Sequence, residues 1–488
     1  MSIATPAPPM MPALIGDSWQ AKEEWPTETV HNPSSGEAMA RVPLLTATEV
    51  NATVAAASDA FQQWRDVPPV DRAQVLFRYK ALLEREFEEV SRLITREHGK
   101  TIDEARGSLR RGIEVVDFAT GIPSLLMGAN LGDIARGIDG DSLRQPLGVC
   151  AGITPFNFPA MVPLWMIPMA IACGNAFIFK PSEQVPQTAV RLVELLQEAG
   201  LPPGVLSLLH GKREVVDALI AHPDVRAISF VGSSPVARHV YETAAANGKR
   251  VQAAGGAKNY IVVMPDANLD QVVSGVMGSA FGCAGERCMA GSVLVTVGGR
   301  HEEVVHAVDV GAGQLQVGPT DRATPGMGPL VSRAHLGRVV DYIDVGVADG
   351  ATLVRDGRGI EVPDAPGGFF LGPTIFDGVR PEMRIAREEI FGPVLSVMDM
   401  VDLDEAMQGI NRSGFGNGAT IFTQSGAAAR HFKREVEAGM VGVNVGVPAA
   451  MAFFPFSGWN GSFYGDLHMQ GQEGVAFYTR QKVTMTRW

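Results

Sequence analysis

The chain has 488 residues, of which 46% are hydrophobic and 19% charged, and its formal net charge is −12. This length suggests two or three domains of a folded globular protein, and the acidic charge argues against nucleic acid or an anionic membrane as a partner. The four cysteines are too few for a disulfide framework and match no zinc-binding spacing. We therefore expect no metal and a reducing, cytoplasmic location.

The first quarter of the chain predicts a strand pair followed by helices. The strand pair turns at Asn32-Pro33-Ser34-Ser35-Gly36, a sequence rich in turn-forming residues. Thr46 and Asp71 are the expected N-caps of the first two helices. The predicted elements are the strand pair over 28–45 and helices over 47–64, 70–99 and 101–120.

Beyond residue 147, short strand-like runs alternate with helical runs, which is typical of parallel α/β units. The stretch 145–179 carries no charged residue and mimics a membrane span, but Pro155, Pro159, Pro163 and Pro168 interrupt it. A helix exposed to lipid would leave backbone groups unsatisfied at so many prolines, so we predict a strand, a loop and a buried helix. The predicted strands are Gly148–Ile153, Ala176–Phe179, Val205–Leu209, Ala227–Val231 and Tyr260–Met264, and the predicted helices are Gln187–Ala199, Glu214–His222, Pro235–Ala246 and Leu269–Phe281.

One cysteine is a candidate nucleophile. Cys288 follows two glycines and lies directly after Arg287. The thiolate is the reactive form of cysteine, and a neighbouring cation such as Arg287 could lower the thiol pKa. A small buried core residue is the competing interpretation for any single cysteine, and at this point it stays open.

Polar residues follow the ends of three predicted strands, where open parallel sheets bind their ligands. Asn157 could direct its amide N–H at a developing oxyanion. Lys180 and Glu183 could bind a ribose, and a carboxylate there disfavours the 2′-phosphate of NADP. Gly232 would let a pyrophosphate approach a helix N-terminus. Each residue is also compatible with an ordinary loop: a capping asparagine, a solvated ion pair and a turn glycine.

Together these segments resemble the aldehyde dehydrogenase superfamily over essentially the whole chain. The resemblance implies an α/β fold with a Rossmann-like parallel-sheet NAD-binding domain, an α/β catalytic domain and a β oligomerisation arm. The NAD-binding domain would comprise 1–127 and 147–256, and the catalytic domain 257–458. The oligomerisation arm would comprise 128–146 and 459–488. Five motifs in the family's order carry the resemblance: Pro155-Phe156-Asn157-Phe158-Pro159, Lys180-Pro181-Ser182-Glu183, Phe230-Val231-Gly232-Ser233, Gly285-Glu286-Arg287-Cys288 and Glu389-Ile390-Phe391-Gly392-Pro393.

The resemblance also implies a role for single residues. Cys288 would be the nucleophile, and Asn157 would form the oxyanion hole with the Cys288 backbone N–H. Glu286 departs from the family's commoner glutamine. The implied cofactor-binding residues are Thr154, Phe156, Lys180, Glu183, Gly232, Ser233, Glu389 and Phe391, and the implied substrate-binding residues are Arg111, Arg287 and Phe158.

A second departure bears on the fate of the acyl group. The family usually has Glu-Leu-Gly-Gly-Lys before the catalytic domain, with the glutamate as the base for hydrolysis, but this chain has Ala254 at that position. Loss of a general base slows a reaction by roughly 10²–10⁴-fold, whereas a thiol acceptor such as coenzyme A needs less help.

The resemblance is therefore to the CoA-acylating branch of the superfamily. It implies NAD and coenzyme A as cofactors, methylmalonate or malonate semialdehyde as substrate, and loss of CO₂. The segments 285–290 and 257–268 and the tail 465–488 carry this likeness, and the strand Val475 to Trp488 would pair with another protomer in a homodimer or homotetramer. A hydrolytic enzyme that releases a free acid and a catalytically silent NAD-binding protein remain the alternatives.

Overall fold

Two open sheets of mainly parallel strands form the framework of the protein, whose computed structural model describes residues 7–488. Elements of the first half are β1 (Ala13–Ile15), β2 (Ser18–Gln20), β3 (Thr27–His31), β4 (Ala38–Pro43), α1 (Ala47–Trp64), α2 (Pro69–Arg85), α3 (Phe87–His98), α4 (Ile102–Thr120), α5 (Ile122–Leu125), β5 (Asn130–Ala135), β6 (Ile138–Pro146), β7 (Val149–Ile153), α6 (Met161–Ala172), β8 (Ala176–Lys180), α7 (Pro186–Glu198), β9 (Leu206–Leu208), α8 (Arg213–Ala221), β10 (Val225–Val231), α9 (Ser234–Ala246) and β11 (Arg250–Ala254).

The second half contributes the remaining strands and helices. These are β12 (Asn259–Val263), α10 (Leu269–Val276), β13 (Gly291–Val297), α11 (His301–Gly313), α12 (Arg333–Ala348), β14 (Thr352–Arg355), β15 (Thr374–Asp377), α13 (Arg384–Arg387), β16 (Val394–Met400), α14 (Leu403–Asn411), β17 (Phe415–Gly416), β18 (Gly418–Phe422), α15 (Gly426–Glu435), β19 (Met440–Val443), β20 (Trp459–Asn460), β21 (Phe463–Gly465), α16 (Gly471–Phe477) and β22 (Thr479–Arg487).

The first sheet has the strand order β2-β1-β9-β8-β7-β10-β11-β21, and its five strands from β9 to β11 are parallel. The chain proceeds outward from β7 through β8 to β9 and then crosses back to β10 on the other side of β7. Loops leaving β7 and β10 therefore diverge, and such a switch point opens a crevice at the carboxyl ends of the strands. The predicted α/β fold with a Rossmann-like sheet is confirmed.

The second sheet has the order β14-β15-β16-β13-β12-β18-β19, in which only β14 is antiparallel to its neighbour. Its central strands consist largely of buried Val, Ile and Leu because helices cover both faces of a parallel sheet. The nucleophile candidate lies just before β13, in the middle of this sheet.

The uncharged stretch 145–179 forms β7, a loop, the buried helix α6 and β8, as predicted. Eleven of the twelve residues of α6 are buried within the protein, so its apolar sequence faces side chains on every side. Among residues 7–488, no helix is long and apolar enough to cross a membrane.

Three local expectations can be compared with the structure. Thr46 caps α1 in a capping box with Glu49, as predicted. The predicted helix over 70–99 is instead two helices that divide at Glu86, and Pro68 rather than Asp71 precedes the first of them. A proline at the first helical position has the φ angle that a helix start needs, so the N-cap is Pro68, three residues before Asp71.

The C-terminal strand is shorter than predicted. Val475 belongs to α16, where Gly474 packs against Met169 of α6, and the strand β22 begins only at Thr479. Buried contacts with α6 favour a helical turn here, and the alternating pattern that indicates a strand starts later in the sequence. β22 pairs with β6 of the same chain in the sheet β22-β6-β5, in which β22 is an edge strand. Its pairing with another protomer and the domain boundaries stay predictions.

Candidate active site

A left-handed turn carries the chain from α10 to the nucleophile candidate. After one π-helical turn, Cys283 and Ala284 both have a φ angle of 51° and Gly285 has one of 74°. A Cβ atom at Gly285 would lie 2.1 Å from the Gly392 carbonyl oxygen, so only glycine allows this close approach. Three consecutive residues in this sparsely populated conformation are typical of a functional site and present Cys288 at the start of β13.

Two asparagines hold the backbone of Cys288. The Nδ2 atoms of Asn259 and Asn417 donate hydrogen bonds to the Cys288 carbonyl oxygen at 2.8 and 2.9 Å. Asn259 begins β12 and Asn417 directly precedes β18, so the two strands next to each other in the sheet fix one peptide group. Sequence analysis missed both roles because a single asparagine at a strand start carries no distinctive pattern.

The Cys288 thiol is mostly buried, and its electrostatic surroundings differ from the expectation. Burial, followed by the nearby Glu389 carboxylate, raises the pKa of Cys288 to about 12. Arg287 lowers this pKa less, since its guanidinium donates to the Gly278 carbonyl oxygen at 3.0 Å and to Cys283 Sγ at 3.2 Å. Arg287 thus lowers the pKa of Cys288, as predicted, but burial outweighs this effect and favours the neutral thiol.

Asn157 lies in the loop that follows β7, beside residues 282–288, which we call the nucleophile turn. Its side-chain Nδ2 donates to the Glu286 carbonyl oxygen at 3.1 Å. Its own carbonyl oxygen accepts a hydrogen bond of 2.6 Å from Lys100 Nζ, which also lies 4.0 Å above the centre of the Phe158 ring. The amide has a second N–H, which is available for an oxyanion. Lys100 is a buried residue that sequence analysis missed, because an isolated lysine between two helices gives no signal.

A crevice of ≈ 660 Å³ opens at the carboxyl ends of β7 and β10, at the switch point of the first sheet. Glu389 lies on its wall, where Oε1 accepts a hydrogen bond of 2.9 Å from the Ala257 backbone N–H. Ser233 precedes α9 without capping it through its side chain, so the first N–H groups of that helix are free for an anion. The predicted residues lining this crevice are Phe156, Asn157, Gly232, Ser233, Cys288, Glu389 and Phe391.

Thr154, Lys180 and Glu183 lie next to this crevice rather than on its wall. The Thr154 backbone N–H donates to the Lys180 carbonyl oxygen at 3.1 Å, and Lys180 Nζ donates to Glu183 Oε2 at 3.2 Å. Glu183 lines a separate cavity of ≈ 420 Å³ together with Ser332 and Arg333. The structure thus holds Lys180 and Glu183 together as an ion pair, and their contact with a ribose stays a prediction.

A second chamber, of ≈ 530 Å³, reaches Cys288 from the other side. The three predicted substrate-binding residues, Arg111, Phe158 and Arg287, all line it. Arg111 also forms an ion pair of 3.1 Å with Glu114 on the same helix, α4. Because Cys288 lines both the crevice and the chamber, one sulfur atom is accessible from two directions.

The position of the missing general base lies at the end of β11. Ala254 is 5% exposed, and its carbonyl oxygen accepts a hydrogen bond from the Gly232 backbone N–H. Gly256 lies two residues further on, and a Cβ atom there would be 2.3 Å from Glu389 Oε2. Within residues 7–488, no group of His, Cys, Asp or Glu side chains is arranged to hold a metal ion.

Comparison with known proteins matches residues 19–484 to the aldehyde dehydrogenase family. The chain is 54% identical over 475 residues to malonate-semialdehyde dehydrogenase 3 of Geobacillus kaustophilus strain HTA426, which covers 97% of this chain and 98% of that protein. Its structure is similar to that of methylmalonate-semialdehyde dehydrogenase from Oceanimonas doudoroffii, with 46% identity, 98% of each chain covered and a TM-score of 0.96. It is also similar to a protein of Sinorhizobium meliloti 1021 described as a methylmalonate-semialdehyde dehydrogenase and solved with NAD, with 43% identity, 99% of each chain covered and a TM-score of 0.97.

Proposed function

The chain belongs to the aldehyde dehydrogenase family, and from this premise we propose that it oxidises methylmalonate or malonate semialdehyde with NAD and transfers the acyl group to coenzyme A. The products would be propionyl-CoA or acetyl-CoA, with loss of CO₂. The observation that carries this proposal is the position of Ala254, which supplies no carboxylate for hydrolysis at the end of β11. The names of the relatives, malonate- and methylmalonate-semialdehyde dehydrogenases, support the substrate class.

The crevice at the switch point has the features that a dinucleotide requires. The uncapped N-terminus of α9 after Ser233 suits the pyrophosphate, and the Glu389 carboxylate suits the hydroxyl groups of the nicotinamide ribose. Because Gly256 has no Cβ atom, the Glu389 carboxylate can lie against the backbone at this position. NAD, when bound, accepts the hydride that leaves the substrate carbon.

Cys288 and Asn157 would carry out the covalent chemistry. Cys288 would release its thiol proton to water, and its sulfur would then add to the aldehyde carbon. The resulting oxyanion would accept hydrogen bonds from Asn157 Nδ2 and the Cys288 backbone N–H. After loss of the hydride, the acyl group remains on Cys288 as a thioester. Loss of CO₂ from the neighbouring carbon would leave an enolate on the same oxygen, so the same two donors would stabilise both negative charges. The enolate carbon would then take up a proton from water, which gives the propionyl or acetyl thioester that coenzyme A accepts.

Two guanidinium groups in the chamber suit a substrate that carries a carboxylate. Arg287 and Arg111 line the same cavity as Cys288, in a chain whose net charge is −12. Guanidinium matches carboxylate geometry through two parallel hydrogen bonds. An aldehyde with a carboxylate at its far end would therefore be held with its carbonyl carbon towards the sulfur.

The acyl acceptor distinguishes the two enzymatic alternatives and can be tested by NADH production. Without coenzyme A, we expect a burst of about one NADH per active site and then a slow rate, because the thioester has no efficient acceptor. Coenzyme A should restore steady turnover. Ala254→Glu should raise the slow rate by supplying a base, whereas Ala55→Glu, at an exposed position of α1, should leave it unchanged. Rapid steady NADH production without a thiol, with free acid as product, would favour the hydrolytic alternative.

The proposal includes an assembly of identical subunits in a reducing cytoplasm. The four cysteines are all unpaired in the described chain, which suits a reducing compartment. The sheet β22-β6-β5 has an open edge at β22, and the exposed side chains of Leu131, Val483 and Met485 lie on one of its faces. An open edge with apolar neighbours is suited to pairing with a second copy of the chain in a homodimer or homotetramer.

A further inference from the structure

A fully buried glutamate lies two residues before the nucleophile, between two histidines. Glu286 and His98 are each 0% exposed. Glu286 Oε2 lies 3.7 Å from His98 Nε2, and Glu286 Oε1 lies 3.5 Å from His335 Nε2. Within the described chain, Glu286 Oε2 and both ring nitrogens of His98 lack a hydrogen-bond partner. Buried polar atoms without partners are rare in folded proteins, so this cluster needs an explanation.

We propose that Glu286 is a positioning residue that acts as a neutral carboxylic acid, whose Oε2–H donates to His98 Nε2 and thereby fixes the direction of the Asn157 amide. This role goes beyond the proposed function, which assigns nothing to Glu286. It rests on that function only because it takes Asn157 to be a hydrogen-bond donor to the oxyanion.

Contacts around the carboxyl group favour its neutral form. Oε1 accepts a hydrogen bond of 3.1 Å from the Val331 backbone N–H, and no arginine or lysine bonds to either oxygen within the described chain. The cations nearby, Lys100 and Arg287, are bonded elsewhere, to the Asn157 carbonyl oxygen and to Cys283 Sγ. An unpaired carboxylate in this place would carry the full desolvation penalty of a buried ion without a partner.

The histidines are consistent with the same protonation state. Burial raises the pKa of Glu286 well above its ordinary value, and burial together with the charge of Lys100 lowers the pKa of His98. His335 donates from Nε2 to the Phe391 carbonyl oxygen at 2.7 Å, so this nitrogen bears a proton and cannot accept one from Glu286. His98 Nε2, 3.7 Å from Glu286 Oε2, is thus the nearest acceptor, and an approach of about 0.5 to 1 Å brings the two atoms to hydrogen-bond length.

The position of Glu286 determines the direction of the oxyanion donor. The backbone carbonyl oxygen of Glu286 accepts one N–H of the Asn157 amide, so a displaced Glu286 would turn the other N–H away from the substrate. The Phe156 ring lies between the two histidine rings, with centroids 6.0 Å from each, and Phe156 precedes Asn157 in the same loop. The acid therefore joins the nucleophile turn to the loop that supplies the oxyanion hole.

The test compares a neutral isostere with a truncation. Glutamine has the shape of the protonated acid and retains a donor, so Glu286→Gln should keep the size of the NADH burst from propanal and its rate within about threefold. Glu286→Ala should slow the burst by about 10- to 100-fold, because Asn157 loses its fixed direction. Glu361→Gln, at an exposed glutamate, serves as the control and should match the wild type.

Infrared difference spectra test the protonation state without any turnover. The wild-type spectrum minus that of Glu286→Gln should contain the C=O band of a protonated carboxylic acid at neutral pH. Because the folded-state pKa of Glu286 is raised, its stabilising contribution is present at low pH and lost as pH rises, so the melting temperature of Glu286→Gln relative to wild type should rise from about pH 5 to about pH 8.

Two results would overturn this inference. One is a carboxylate band in place of the acid band at neutral pH. The other is an equal loss of burst rate in Glu286→Gln and Glu286→Ala, which would show that the shape and donor of the side chain do not matter. A failure of the proposed function would instead remove the burst from the wild type and from every variant, and it would leave the infrared result unchanged.

Discussion

At the scale of single residues, the neighbours of Cys288 fix the position of its backbone, whereas burial keeps the pKa of its thiol high. Two asparagine amides fix the Cys288 carbonyl oxygen, and Arg287 directs its guanidinium to Cys283 Sγ and Gly278. Burial dominates the pKa of Cys288, as expected for an ionisable group removed from water. The thiol therefore has to lose its proton before its sulfur can attack an aldehyde.

The raised pKa of Cys288 predicts how alkylation depends on pH. Only the thiolate reacts with iodoacetamide, and well below a pKa of about 12 its fraction rises tenfold with each pH unit. The labelling rate of the free protein should therefore rise about tenfold per unit between about pH 7 and about pH 10. Peptide mass spectrometry measures it, with the buried Cys173 as an internal control that should stay unlabelled. A rate that levels off below about pH 8 would contradict the buried-thiol interpretation.

At the scale of secondary-structure elements, α4 and the nucleophile turn form two walls of one chamber. Arg111 lies on α4, and Arg287 lies on the turn between α10 and β13. Arg110, the neighbour of Arg111 on the same helix, pairs instead with Glu84 of α2. Successive residues of a helix point about 100° apart, so only one of the two arginines faces the cavity.

This arrangement predicts substrate-dependent effects of arginine substitutions. Arg111→Lys and Arg287→Lys should each raise the KM for malonate semialdehyde by about tenfold, the scale of one lost charge-assisted hydrogen bond, and change the KM for propanal much less. Arg110→Lys is the matched control, since Arg110 does not line the chamber. Steady-state kinetics with both aldehydes measures the difference. Equal effects on the two substrates would rule out a carboxylate anchor.

At the scale of the whole molecule, the site lies between the two large sheets. The first sheet contributes the crevice, the second contributes the nucleophile, and Cys288 connects the crevice to the chamber. The small sheet β22-β6-β5 shares no strand pairing with either and exposes Val483 and Met485, at 65% and 60% of their surface. Apolar side chains exposed side by side on one face of an edge strand favour association with a partner.

Association through this sheet predicts a change of mass in a matched pair of variants. Val483→Lys/Met485→Lys places two charges on the exposed apolar face and should yield a smaller species than the wild type in light scattering after size exclusion. Thr484→Lys places a charge on the opposite face of β22 and should keep the wild-type mass. An identical mass for all three proteins would mean that another surface holds the subunits together.

Much of this fold and site follows from the sequence alone. Alternating strand and helix patterns predicted the strands of the first sheet, because parallel strands covered by helices are continuous apolar runs. The residues after β7 and β10 were predicted as site residues because ligands bind at the carboxyl ends of parallel strands. Such local signals depend on a few adjacent residues, so the chain itself contains them.

Other features depend on residues that are distant in the sequence. No local pattern identifies Lys100, Asn417 or the His98–Glu286 pair. The residues that they contact lie 57 to 188 positions away in the sequence. The sequence placed a cation beside Cys288, but the tertiary structure directed that cation to Cys283 and buried the sulfur. Motif and fold class are thus encoded locally, whereas protonation state and the direction of each side chain follow from burial and long-range contacts, which only the folded chain supplies.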